Sequence, residues 1–183
     1  MAKTRTPAER RLMNKAVHYL GRYTASQSRL REVLGRFAVR KLAEHDPETV
    51  KQAMDQVVAD CVRLGYVDDA AYAMVQARSK RRSGRSAMAI RRSLQMHSID
   101  PELIDSALIS ADEDLEDGDM AAALRYAARR RLGPYFKNEL DEGAIRRQLG
   151  SFARAGFSLA IARQIMALNG PDAADEMANT LRR

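Results

Sequence analysis

Three histidines, one cysteine and a few paired carboxylates are the residues of this 183-residue chain that could move a proton, hold a metal or attack an electrophile. His18, His45 and His97 are scattered, with none of the short spacings that present metal ligands together, and no Gly-rich phosphate loop, nucleophile elbow or HExxH sequence occurs. Asp68-Asp69 resembles an acid pair, yet adjacent carboxylates at a helix start act as cap and dipole partner. The run DEDLED at 112–117 could bind divalent ions only weakly. Cys61 cannot close an internal disulfide or build a Cys-rich metal site; beside Val58 and Leu64 on an apolar stripe it reads as a small buried hydrophobe. Tyr66, Tyr72, Tyr126 and Tyr135 could stack on nucleobases, but their spacing within amphipathic segments places them as half-buried core residues. No enzymatic site, metal or cofactor is expected. Arginine is what remains.

The arginines recur inside a phrase: RLREVL at 29–34, AIRRSL at 89–94 and AIRRQL at 144–149. On a helix turning 100° per residue, Ile90 and Leu94 share one face, while Arg85 and Arg92 lie opposite and Arg91 on the flank. The same geometry puts Leu30 and Leu34 inside with Arg31 outside, and Ile145 and Leu149 inside with Arg146 and Arg147 outside. Each buried aliphatic contributes about 1.5–3 kcal/mol, whereas exposed arginines add little to stability. The arginines are therefore free to bind something.

The elements that carry them read as helices throughout. Hydrophobic residues make up 45% of the chain, aromatics only 5% with no Trp, and Ala, Leu, Arg and the acidic residues Asp and Glu dominate, a composition that favours helix over strand. Thr6-Pro7-Ala8-Glu9 is a capping box opening a helix to about Leu20. Ser26 or Ser28 caps a second, ending near Glu44 or His45, and Asp46-Pro47 opens a third that Gly65 stops. The series restarts at Asp68, breaks at Ser83-Gly84, continues over about 85–97, and starts again at Asp100-Pro101. DPETVKQAM at 46–54 and DPELIDSAL at 100–108 repeat the same register. The pattern predicts an all-α protein of three tandem three-helix repeats, at 7–67, 68–110 and 120–168, with an acidic linker at 111–119 and a short frayed helix in a tail at 169–183.

The net charge of +7 conceals alternating blocks. Residues 1–41 carry 11 basic and 2 acidic groups, 42–75 carry 2 and 7, 76–97 carry 7 and none, 98–119 none and 9, and 120–183 carry 11 and 6. Such blocks can follow a polyanion, match an acidic protein surface, or simply keep helix faces solvated. No run of about 18 apolar residues and no signal-like segment occurs, so a cytoplasmic protein without membrane contact is expected. Three-helix units also suggest a DNA-binding helical regulator, although nothing identifies a recognition helix with base-reading side chains.

GYVDDAAYA at 65–73, the arginine-rich segment and glycine that follow, AIRRSL, the DPELIDSAL helix and AGFSLAIARQIM at 155–166 together resemble the RecX regulators of bacterial recombination, over roughly residues 10–168. Ser98 stands where that family usually has glycine, and Gly35-Arg36-Phe37 is atypical of its first unit. The resemblance implies an elongated, curved array of three tandem three-helix repeats, monomeric and non-enzymatic. It also implies binding to the RecA filament on DNA, with restraint of ATP hydrolysis, strand exchange and coprotease action, and at most weak non-specific DNA contact. The basic faces expected to make these contacts carry Arg81, Arg82, Arg85, Arg91, Arg92, Arg129, Arg130, Arg146 and Arg147.

Overall fold

Short polar side chains set the helix starts, as the sequence leads one to expect. In the computed structural model, which describes residues 5–138 and 140–182, Thr6 and Glu9 close a reciprocal capping box on α1 (Pro7–Leu20). Ser26 caps α2 (Gln27–Lys41), Asp46 caps α3 (Pro47–Arg63), and Asp68 accepts the Ala71 amide in the first turn of α4 (Asp69–Arg82). Ser86, Asp100 and Asp117 cap α5 (Ala87–Gln95), α6 (Pro101–Ala111) and α7 (Gly118–Arg130). Asp141 and Ser158 cap α8 (Glu142–Arg154) and α9 (Leu159–Met166), and α10 spans Gly170–Thr180. A single 3-10 turn, Gly133–Tyr135, separates α7 from α8. The described residues form no extended strand; one isolated bridge pairs Leu115 with Arg182. The protein is all-α.

The helices form two compact units, one of residues up to Tyr72 with His97–Ile99, the other of Ala73–Met96 with Asp100 onward. In the first, Leu12 and Ala16 of α1, Leu30 and Leu34 of α2, and Val57, Val58 and Cys61 of α3 interlock as a closed core. Cys61 is the expected buried hydrophobe, and burial pushes its thiol above the ordinary range. Helix α2 ends at Lys41, one turn before the expected stop.

In the second unit Ile90 and Leu94 are fully buried, as the phrase AIRRSL requires. The third copy departs from this. In α8 the buried residues are Ala144, Gln148 and Phe152, while Ile145 is 38% exposed and Leu149 only half-buried. Phe152 packs edge-on against Tyr126 and Phe157, and Gln148 Oε1 accepts the Gly133 amide at 2.7 Å. These two contacts turn the helix by about one residue, roughly 100°, from the seam the sequence suggested. The short helix expected in the tail is α10, and it is packed rather than frayed: Ala174 is fully buried and Met177 and Leu181 pack on the same core. Pro171 in the first turn suits the start of this helix. Of the four tyrosines expected to be half-buried, Tyr126 and Tyr135 are, Tyr72 is buried, and Tyr66 is 53% exposed.

The acidic stretch is not only a linker. Arg81, 5% exposed, donates from Nη2 to Asp112 at 2.6 Å and from Nη1 to Asp119 at 2.5 Å, and also to the Arg85 carbonyl. Gly118 is a spatial necessity here, because a Cβ would lie 2.1 Å from the Asp112 carboxyl. The expectation that Arg81 belongs to an open basic face is thus corrected: its guanidinium is the interior counter-ion of two carboxylates.

One joint occurs twice. In the first unit, the fully buried Ser26 accepts the Arg29 amide and donates to the His97 carbonyl at 3.3 Å, while the Gln27 amide donates to Asp69 at 2.9 Å. In the second, the fully buried Ser86 accepts the Ala89 amide and donates to the Ala155 carbonyl at 2.7 Å, while the Ala87 amide donates to Asp119 at 2.8 Å. Each accepting carbonyl precedes a left-handed residue, Ser98 (φ 53°) and Gly156 (φ 86°). A Cβ on Gly156 would stand 2.6 Å from Ser86 Oγ.

Two outcomes follow for stability. Ser98→Gly relieves a left-handed non-glycine and raises unfolding free energy by about 0.5–1 kcal/mol, whereas Gly156→Ala lowers it by more than about 1 kcal/mol; urea melts compare them. Arg81→Met leaves Asp112 and Asp119 facing each other without their cation and costs about 3–5 kcal/mol. The neighbouring Arg82→Met stays within about 0.5 kcal/mol of wild type in the same melts.

Candidate partner-binding surface

The exposed cations of the second unit are gathered by a glycine. Gly84, at φ 71°, follows α4 in the left-handed region that glycine enters without steric cost. A Cβ there would lie 2.9 Å from the Tyr126 amide nitrogen and 3.0 Å from the Ala122 carbonyl oxygen, so only glycine lets the α4–α5 turn rest against the α7 backbone. That approach brings Arg82 and Arg85 beside the outer face of α7. Arg129 of α7 donates from Nη1 to the Ser83 carbonyl at 2.5 Å. Arg82 and Arg125 line one cleft of about 360 Å³, whose other wall carries Glu113 and Asp114.

Arg82, Arg85, Arg125 and Arg129 are all exposed, and none makes an ion pair among the described residues. Arg125 was absent from the sequence-based set. Its spacing of four from Arg129 on one polar helix face was the signal that could have found it. Cations held around one turn without a close ion pair favour an anionic partner, an effect that salt screens and that Glu113 and Asp114 in the same cleft reduce.

The remaining arginines fare differently. Arg91 is exposed but donates from both Nε and Nη2 to Asp105, at 3.1 and 2.8 Å, so its charge is already answered. Arg92 and Arg130 are exposed without an ion pair among the described residues. Arg146 and Arg147 remain on the outer face of α8 despite its rotation, and no hydrogen bond or ion pair joins them to the Gly84 group among the described residues. Arg78, in the same basic block, donates to Ser110 at 2.9 Å and lies 3.6 Å from Glu113. Arg78, Arg81 and Arg91 are therefore matched by the acidic block that follows them in sequence.

Among the described residues no group of three or more His, Cys, Asp and Glu side chains could hold a metal ion, and no helix is long and apolar enough to cross a membrane. Exposed guanidinium groups can bind carboxylates or phosphates in bidentate fashion.

Known proteins are similar to this chain. The profile of the RecX second three-helix domain matches residues 68–108, the segment that holds Arg81, Gly84 and the phrase AIRRSL. The regulatory protein RecX of Myxococcus xanthus (strain DK1622) is 35% identical over 161 residues, covering 86% of this chain and 85% of that one. That of Agrobacterium fabrum (strain C58 / ATCC 33970) is 32% identical over 162 residues, covering 88% and 85%. Among solved structures, RecX from Lactobacillus salivarius superposes with a TM-score of 0.62 at 16% identity, covering 95% of this chain and 98% of that one. A further crystal structure of a regulatory protein RecX gives 0.67 at 18% identity, covering 86% and 71%. The structures speak for a shared fold, the sequences for shared descent: this chain belongs to the RecX family.

Proposed function

We propose that the chain is a non-enzymatic modulator of the RecA recombinase, an inhibitor that binds the RecA–DNA filament in the cytoplasm and restrains its ATPase, strand exchange and coprotease activities. Membership in a family of regulatory proteins supports the regulatory part of this reading. The observation that carries the binding part is the set of exposed arginines around Gly84, namely Arg82, Arg85, Arg125 and Arg129, none in an ion pair among the described residues, with Arg92, Arg130, Arg146 and Arg147 as further exposed cations. A filament presents acidic protein surface and phosphate repeatedly, so several weak charge contacts act together with high effective concentration. Inhibition then comes from occupancy alone. The three-repeat organisation suits such repeated contact, each repeat offering one face to the filament.

The expected outcome is that substoichiometric protein slows RecA's DNA-dependent ATPase and shortens filaments seen by negative-stain microscopy; no effect on either rejects the reading. Charge reversal of Arg82, Arg85 and Arg125 together lowers filament association at least tenfold and leaves the melting midpoint nearly unchanged, because none of the three makes an ion pair among the described residues. A mobility-shift titration without RecA separates the rival reading as a DNA-binding helical regulator. Tight binding to one preferred sequence supports the rival, and weak salt-sensitive binding to any DNA supports the filament modulator.

A further inference from the structure

An apolar groove opens in the first unit between the C-terminal half of α2 and the start of α3. Gly35, Ala38, Val39 and Leu42 form one wall and Val50 and Met54 the other, around about 300 Å³. Val39 is 76% exposed there. Gly35 is unusual for its place. It sits inside a helix, where glycine costs about 0.5–1 kcal/mol relative to alanine, and neither of the usual reasons for that cost applies: its φ is not positive, and a Cβ would meet nothing within 4 Å. The fold of this unit makes no use of the bare backbone, which instead leaves the groove floor open to close approach from outside.

The rim is cationic in effect as well as in composition. Arg36 and Arg40 flank the α2 wall and Lys41 follows them, all exposed and without an ion pair among the described residues. Lys51 lines the groove itself, with Glu48 at 3.9 Å. The nearby carboxylates are engaged: Glu44 by Arg11, and Asp46 by the amide and hydroxyl of Thr49 as the cap of α3. We propose that this groove is the docking site for an acidic, helical segment of a partner protein, which seats an aliphatic side chain over Gly35 against Val39 and sets its carboxylates against Arg36, Arg40 and Lys51. The site lies apart from the Gly84 arginines in sequence and does not depend on the RecA reading.

The test uses the full chain and fluorescence polarisation with a labelled 14-residue peptide of Glu and Ala carrying two Leu residues four apart. One control peptide replaces both Leu by Ala, and another replaces every Glu by Lys. The expected result is binding at least tenfold tighter than to either control, weakened at least tenfold by Gly35→Leu, which fills the groove, and by Arg36→Glu with Arg40→Glu. Gly35→Leu removes a helix-interior glycine and is expected to melt no lower than wild type; should it fail to fold, Val39→Glu at the exposed wall reads the same contact. Equal binding of the Lys peptide, or undiminished binding to the groove variants, overturns the proposal. So does a concentration-dependent dimer in sedimentation that Gly35→Leu abolishes, since the groove would then hold a second copy of this chain.

Discussion

Arg81 is one cation serving two carboxylates, and much of the second unit is arranged by it. Its guanidinium joins the end of α4 to Asp112, which follows α6, and to Asp119 in the first turn of α7. Asp119 Oδ1 also accepts the first amide of α5. Four helix termini therefore meet at one charge cluster. Removing a guanidinium from water is costly unless it is paired; here two carboxylates and a backbone carbonyl take up Nη1 and Nη2, while the buried Nε has no partner among the described residues. The requirement extends to the backbone, where Gly118 has no room for a side chain against Asp112.

The buried serine caps express the same economy in neutral form. Ser26 and Ser86 each accept an amide at the start of a helix and donate their proton to a carbonyl about seventy residues further on. A hydroxyl can do both at once, which carboxylate caps such as Asp46 or Asp100 cannot. The partner carbonyl must be turned toward the serine, and a left-handed residue directly after it provides that turn at both places. Glycine fills this role at 156 and serine at 98, both with positive φ.

Helix starts were legible in the sequence because capping is local: a Ser, Thr or Asp and the three residues after it carry the whole signal. The role of Arg81 was not, because nothing within its own helix distinguishes it from Arg82; what differs is the 100° between them and the position of two carboxylates more than thirty residues away. Charge blocks mislead for the same reason. The basic block at 76–97 and the acidic block at 98–119 look like separate surfaces in sequence, yet Arg78, Arg81 and Arg91 are matched across them. The cluster around Gly84 was half legible, since the arginines were visible but the close approach to α7 that assembles them was not.

The third copy of the phrase shows why a cationic face persists where a packing seam does not. In α8 the aromatic contacts of Phe152 and the amide taken by Gln148 rotate the buried face from Ile145 and Leu149 toward Ala144, Gln148 and Phe152. Two adjacent arginines span 100° on the side away from either seam, so Arg146 and Arg147 stay exposed whichever one is buried. A seam must match its neighbours atom by atom and is remade when one aromatic side chain arrives, whereas a pair of exposed charges needs only to face water. Exposed pairs of this kind place light demands on the core, so the buried face of α8 can differ from that of α5 while Arg146 and Arg147 stay at the surface.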